Sequence, residues 1–291
     1  MKIDNPIYFE YTNAAVPVIK ELEPTSISPN DKSCIETPNL FARYFMFDKN
    51  HTLRDNLTEA SSHEYYVLEG SGKTIIKKNN EKHEIFWKKG DAFIIPYTSY
   101  TVIHISFENN TLFFTCDDSP LLKYLHSKPV ESRFNIVHYK HSDMMDNIKK
   151  FNSEKDASKR NRNGILLTNN QMVDEKLNTL THTMWSLLNS INANTIQKAH
   201  RHNSIAIDLC IDVDEEASDK GMIYTLMGKT LDNNNNIVDP VKMVWKKNST
   251  FTTPPGWWHS HHNESDKPAW VFPVQDAGLH TYMRTLNIQF S

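Results

Sequence analysis

Two histidines in this chain are spaced as metal ligands on a strand. In Ala199-His200-Arg201-His202-Asn203 the imidazoles lie two residues apart, and extended backbone turns side chains at that spacing to one face. Imidazole nitrogens suit divalent first-row metals. The chain holds 14 histidines, enough for roughly one such pair to arise by chance, so a third ligand decides the reading. The stretch Thr253-Pro254-Pro255-Gly256-Trp257-Trp258-His259-Ser260-His261-His262-Asn263 is where that ligand would come from.

The elements that must position these residues are visible as a repeat. At an offset of 158, Trp87-Lys88-Lys89-Gly90 falls on Trp245-Lys246-Lys247-Asn248. Without a gap, Phe93 then falls on Phe251, Pro96 on Pro254, Phe114 on Phe272, Asp118 on Asp276, Leu121 on Leu279 and Tyr124 on Tyr282. Gly90 and Asn248 share a position because both tolerate the left-handed backbone of a tight turn. Around these anchors the first half reads as short strands, Phe41 to Phe47, Glu64 to Glu69, Lys73 to Lys78, Ala92 to Pro96, Thr101 to Phe107 and Thr111 to Cys116. The second half repeats the scheme with Thr181 to Ile191, Ser204 to Ile211, Met222 to Met227, Val241 to Trp245 and Trp270 to Pro273. Gly70-Ser71-Gly72, Asn79-Asn80 and Asn109-Asn110 supply turns. The expectation is an all-β chain of two tandem jelly-roll barrels with minor helices. The first spans residues 1–150 with a short helix over Asp143 to Phe151, a polar linker covers 151–163, and the second spans 164–291. A chain of 291 residues suits two such units of about 130 to 150 residues each.

With the repeat in place, the histidine-rich stretch resembles the second motif of the cupin superfamily, G-x5-P-x-G-x2-H-x3-N. Pro254, Gly256, His259 and Asn263 match it, and Asn248 stands at the leading glycine. The resemblance makes His259 the third ligand beside His200 and His202. Cupins usually add a glutamate after the His pair, but Ala206 and Ile207 occupy those positions. Three neutral imidazoles leave the double charge of one divalent ion per chain uncompensated and leave coordination positions open, which suits an anionic bidentate substrate together with O2. Fe(II) is the natural candidate, although Mn, Ni, Cu or Zn fit the same donors. In the first half, Thr101 falls on His259, and Leu57, Thr58 and Glu59 stand where a His pair should be, so its metal site is lost.

Over about a hundred residues the second half further resembles the metal-bearing domain of the gentisate and salicylate 1,2-dioxygenase family, ring-cleaving bicupins. The carriers are His182-Thr183-Met184-Trp185, the segment Ala199 to Ala206, and Thr252 to His261. Domain order is swapped, because the family's metal domain comes first; here Phe113-Phe114-Thr115-Cys116-Asp117-Asp118-Ser119-Pro120 in the first half resembles its metal-free domain. The resemblance implies that His261, two places after the third ligand, assists proton transfer or orients its neighbours. It implies that Arg162 contacts a substrate carboxylate and that Asn189 stands for a substrate-binding glutamine. The family's arginine for that carboxylate is replaced by Asp208, on the strand face of His200 and His202. An aspartate there repels a benzoate and favours a hydroxyl, an amine or a cationic group, unless it pairs with an arginine or faces outward. Trp257 stands at the barrel mouth, where its ring can stack on an aromatic substrate.

Composition narrows the classes. The net charge is -3 with basic residues scattered, which argues against nucleic acid. Three distant cysteines, Cys34, Cys116 and Cys210, form neither a disulfide framework nor a thiolate site, as in a reducing cytoplasm. No apolar run marks a signal peptide or a membrane span. Duplicated sheets are expected to pair into a homodimer or higher homo-oligomer. The leading expectation is an Fe(II) dioxygenase acting on a small aromatic substrate with hydroxyl or amino groups. The alternatives are a non-oxidative metal enzyme, such as an isomerase, lyase or hydrolase, and a small-ligand-binding barrel without catalysis.

Overall fold

The computed structural model describes residues 22–31, 33–49, 51–78, 81–155 and 163–291. Each half forms two facing antiparallel sheets. The inner sheet of the first barrel runs Val137–Tyr139, Ala92–Pro96, Ser62–Glu69, Thr111–Asp117, Phe41–Phe47, Ile35–Glu36, and its outer sheet runs Thr52–Asp55, Val102–Ser106, Ser71–Lys78, Glu81–Lys88. The second barrel repeats this. Its inner sheet runs Ser26–Ile27, Thr250–Thr253, Ala206–Asp212, Ala269–Gln275, Trp185–Ile191, Asn163–Leu167, and its outer sheet Val241–Val244, Ile223–Gly228, Trp258–Asn263, His200–His202, Ile288–Phe290. The short strand Thr195–Ile196 also pairs with Trp258–Asn263. The expected helix forms over His141–Asn152. Gly90 and Asn248 both take the left-handed conformation expected of them, with φ of +87° and +62°. No described helix is long and apolar enough to cross a membrane.

The two inner sheets pack back to back, so their strands are covered on both faces and every residue of Ala92–Pro96 and Thr111–Asp117 is buried. Tyr65, Phe93 and Phe113 point into the first barrel. Their neighbours Tyr66, Ile94 and Phe114 point the other way, into a cluster that also holds Leu188, Ile207, Leu209, Phe272 and Val274 of the second half. Tyr66 and Phe272 meet with ring centroids 4.7 Å apart. The two barrels thus share one hydrophobic core.

Polar links across this interface follow the repeat. Asp118 accepts hydrogen bonds from Ser61 Oγ of its own barrel at 2.5 Å and from Thr183 Oγ1 of the other at 2.9 Å. Its counterpart Asp276 accepts from Ile205 N at 2.9 Å and, across the interface, from Asn39 Nδ2 at 2.6 Å. Ser26–Ile27 precedes the first barrel in sequence but pairs with the second, Ser26 opposite Phe251 and Ile27 opposite Thr250.

Glu64 is fully buried in this interface, with Ser186 Oγ donating to its Oε2 at 2.8 Å. Burial pushes its carboxyl from 4.5 up to about 8. A carboxyl raised on folding contributes stability that is complete below its unfolded pKa and drains away as pH climbs through the folded one. The Glu64→Gln variant lacks this titration. It is expected to be more thermostable than the native protein at pH 9 by on the order of a few kcal/mol, the gap closing toward pH 5. Thermal melts of both proteins from pH 5 to 9 test this; parallel curves would refute the assignment.

Candidate metal centre

His200 and His202 lie on a three-residue strand between Trp258–Asn263 and Ile288–Phe290, with His200 directly opposite His259. Directly opposed residues of antiparallel strands share a face, and all three imidazoles are buried on the barrel interior. Their ligand nitrogens lie within 4.8 Å of one another, a group that could hold a metal ion. Ring centroids are 3.9 Å apart for His200 and His259, and 4.9 Å for His202 and His259. His200 also lies nearly parallel to Phe290, at 17° and 6.0 Å.

The surroundings fix the tautomers that a ligand needs. His202 Nδ1 stands 2.8 Å from the Ser204 carbonyl oxygen, and His259 Nδ1 stands 3.0 Å from that of Trp257. A carbonyl only accepts, so Nδ1 carries the proton in both rings and Nε2 is left as the lone-pair nitrogen. Ser204 Oγ continues the network to Gln275 Oε1 at 3.1 Å. Among the described residues no carboxylate joins the group; Ala206 and Ile207 are buried, with Ile207 in the shared core. The donor set of three buried imidazoles, two of them oriented by carbonyls, fits a divalent ion. The motif's other residues are structural: Gly256 has φ of +77° and donates its N–H to the His202 carbonyl at 2.7 Å. Asn263 Nδ2 faces the carbonyls of Ile191, Asn192 and Lys267 at 3.0, 3.1 and 2.8 Å.

His261 lies beside the centre, its ring 5.7 Å from His259 and 6.0 Å from His200. Its Nδ1 is 2.8 Å from Thr225 Oγ1, which accepts the Trp245 Nε1–H at 2.8 Å. The first barrel holds the same relay, Trp87 Nε1 donating to Thr74 Oγ1 at 2.9 Å and Thr74 Oγ1 at 2.8 Å from His104 Nδ1. His104 is therefore the counterpart of His261, and burial pushes its pKa down to about 4.

This geometry corrects the alignment of the halves. Counting back two residues from His104, the counterpart of His259 is the fully buried Val102; Thr101 is exposed. The connection from Pro96 is one residue longer than that from Pro254, so the ungapped offset slips by one there, which on a strand exchanges inside for outside. Opposite Val102 stands Asp55, in the place of His200, bound by the Tyr65 hydroxyl at 2.8 Å and near Arg43 at 3.5 Å. Leu57, two residues on, takes the place of His202.

The remaining predicted residues divide. Asp208 sits opposite Phe251, whose ring is 6.1 Å from Trp245, itself 5.6 Å from His261, so Asp208 faces the same interior. Thr253 Oγ1 donates to its Oδ2 at 2.7 Å. Among the described residues no lysine or arginine pairs with it, and burial pushes its carboxyl up to about 7. Asn189 faces inward opposite Val271 and Gly164, with a buried Oδ1 that no described residue hydrogen-bonds. Trp257 packs on the second barrel's interior cluster with Lys229 Nζ 5.4 Å from its ring. Arg162 lies outside the described residues. Gln197 escaped the sequence reading. It is 1% exposed and donates its N–H to the His261 carbonyl at 2.8 Å, which sets it on the His261 face, and its Oε1 has no described partner.

No family model matches the chain, and none of the curated proteins matches it. Among solved structures, salicylate 1,2-dioxygenase from Pseudaminobacter salicylatoxidans superposes with a TM-score of 0.65 at 12% identity, over 87% of this chain and 75% of that one. The same enzyme with gentisate adducts gives a TM-score of 0.65 at 12% identity, over 87% and 72%. A mutant of it in complex with gentisate gives 0.67 at 12% identity, over 96% and 81%. The chain has the bicupin fold, and the resemblance read from its motifs extends to three dimensions.

Proposed function

We propose that this protein is a metal-dependent, dioxygenase-like bicupin acting on a small aromatic substrate that carries hydroxyl or amino groups, with Fe(II) as its working ion. The observation that carries this reading is the convergence of His200, His202 and His259, with two of the three tautomers set by backbone carbonyls. A divalent ion bound there supplies Lewis acidity and open positions for substrate and O2. Ser204 and Trp257 hold the ligand rings in register through their carbonyls. Thr225 and Trp245 anchor His261 by Nδ1, so a proton exchanged with substrate passes through Nε2. Trp257 offers a ring face at the rim, and Arg162 lies in the segment leading to the second barrel. The three free cysteines fit a reducing cytoplasm. The exposed apolar pairs Tyr124 with Leu125 and Tyr282 with Met283, which occupy matching places in the repeat, support assembly into a homo-oligomer.

Oxygen uptake tests the reading. Protein purified anaerobically and loaded with Fe(II) is expected to consume O2 with at least one member of a panel of catechols, hydroxybenzoates and aminophenols. His261→Gln is expected to keep the metal and lose turnover by about 10²-fold or more. No uptake across the panel with Fe(II) in place would overturn the proposal.

A further inference from the structure

The barrel interior around the three histidines has a polarity of its own. Asp208, Asn189 and Gln197 are 4%, 8% and 1% exposed; Asp208 and Asn189 face the second barrel's interior from the inner sheet, and Gln197 lies beside His261 on the outer one. Unpartnered buried polar atoms are costly, yet Asn189 Oδ1 and Gln197 Oε1 make no hydrogen bond to any described residue. Glycine at 164 suits this close approach: a Cβ there would stand 2.8 Å from the Leu188 carbonyl oxygen and 3.0 Å from Asn189 Oδ1.

Among the described residues no positive charge accompanies these groups. Among the described residues no lysine or arginine is buried. Arg201, between the two ligand histidines in sequence, turns outward to Gln289 Oε1 at 2.9 and 2.7 Å and lies 4.8 Å from the Trp258 ring. Lys229 stays over the half-buried Trp257. A primary amide can turn either its oxygen or its nitrogen to a ligand, so the carboxyl of Asp208 sets the polarity of this interior.

We infer that Asp208, Asn189 and Gln197 are the specificity-determining residues of the metal pocket, and that they select a ring presenting N–H or O–H donors, an aminophenol or catechol, over one presenting a carboxylate. The inference rests on the metal-centre reading. It assigns to Gln197 a role in recognising the part of the substrate that does not touch the ion. A site built to accept hydrogen bonds rejects a ligand lacking the donors, because its buried acceptors are then left unsatisfied. In its ionised form Asp208 in addition repels a carboxylate.

Binding to the redox-inert Zn(II)-loaded full-length protein, measured calorimetrically with metal content determined on the same sample, tests this without turnover. 2-Aminophenol and catechol are expected to bind on the order of tenfold tighter than salicylate. Asp208→Arg is expected to reverse that order. Asp208→Asn, which preserves shape, should narrow the ratio, and Gln197→Leu should weaken 2-aminophenol severalfold with zinc content unchanged. With zinc bound, equal or tighter binding of salicylate by the native protein, absence of binding by all three, or a ratio untouched by either Asp208 variant overturns this inference alone. Failure of the native protein to hold zinc overturns it together with the metal-centre reading.

Discussion

Native protein should take up one divalent ion per chain, and His259→Ala should lose that binding by more than about 100-fold while remaining folded. Groups that merely orient metal ligands typically account for 10 to 100-fold in affinity, and removing a ligand exceeds that. His259 is central to the group: it lies opposite His200 in register and within 5 Å, centroid to centroid, of both other rings. Its truncation leaves a pair two residues apart, which holds an ion poorly. The fold should survive, because the strand Trp258–Asn263 is held along its length by Ile223–Gly228, where His259 faces Met227. Added Zn(II) should raise the melting temperature of the native protein through preferential binding to the folded state and leave that of the variant unmoved. Retention of a full equivalent of metal by His259→Ala would remove the ligand assignment.

Phe272→Ala should destabilise the whole molecule by about 3 to 5 kcal/mol. Phe272 is fully buried, and its ring packs against Tyr66 of the other barrel as part of the cluster both inner sheets share. Deleting it opens a cavity that neither sheet can close without separating from its partner. The loss should therefore appear as one cooperative urea transition moved to lower denaturant, followed by both tryptophan fluorescence and circular dichroism. Two resolved transitions, only one of them shifted, would mean that the barrels fold as independent units.

Much of this was readable from the chain because the repeat carries large, buried anchors. Trp87 and Trp245 are 2% and 0% exposed and hold equivalent threonines, so the residues that betrayed the duplication are those that shape it. Equivalence failed where the connection after Pro96 gains a residue, since a pattern matched without gaps cannot register a one-residue slip. Glu81–Lys88 was not read as a strand, because Glu84, Phe86 and their neighbours mix charge with apolar groups on a strand that pairs on one side only. Gln197 carried no signal at all: its burial comes from pairing with His261, far along the sequence. The inward orientation of Asp208 was legible from the period of two, but its Thr253 partner was not.

The short strand Ser26–Ile27 has a consequence for how the gene can be divided. By lying along Thr250–Thr253, with Thr25 N bonded to Thr252 Oγ1 at 2.9 Å, it closes the flank of the sheet that carries Asp208 and Thr253. A fragment beginning at residue 164 would carry every proposed ligand yet expose that flank as a bare row of amides and carbonyls, open to self-association. The second barrel therefore depends on an upstream segment as a covering thread, and the duplicated halves are laced together rather than strung in series.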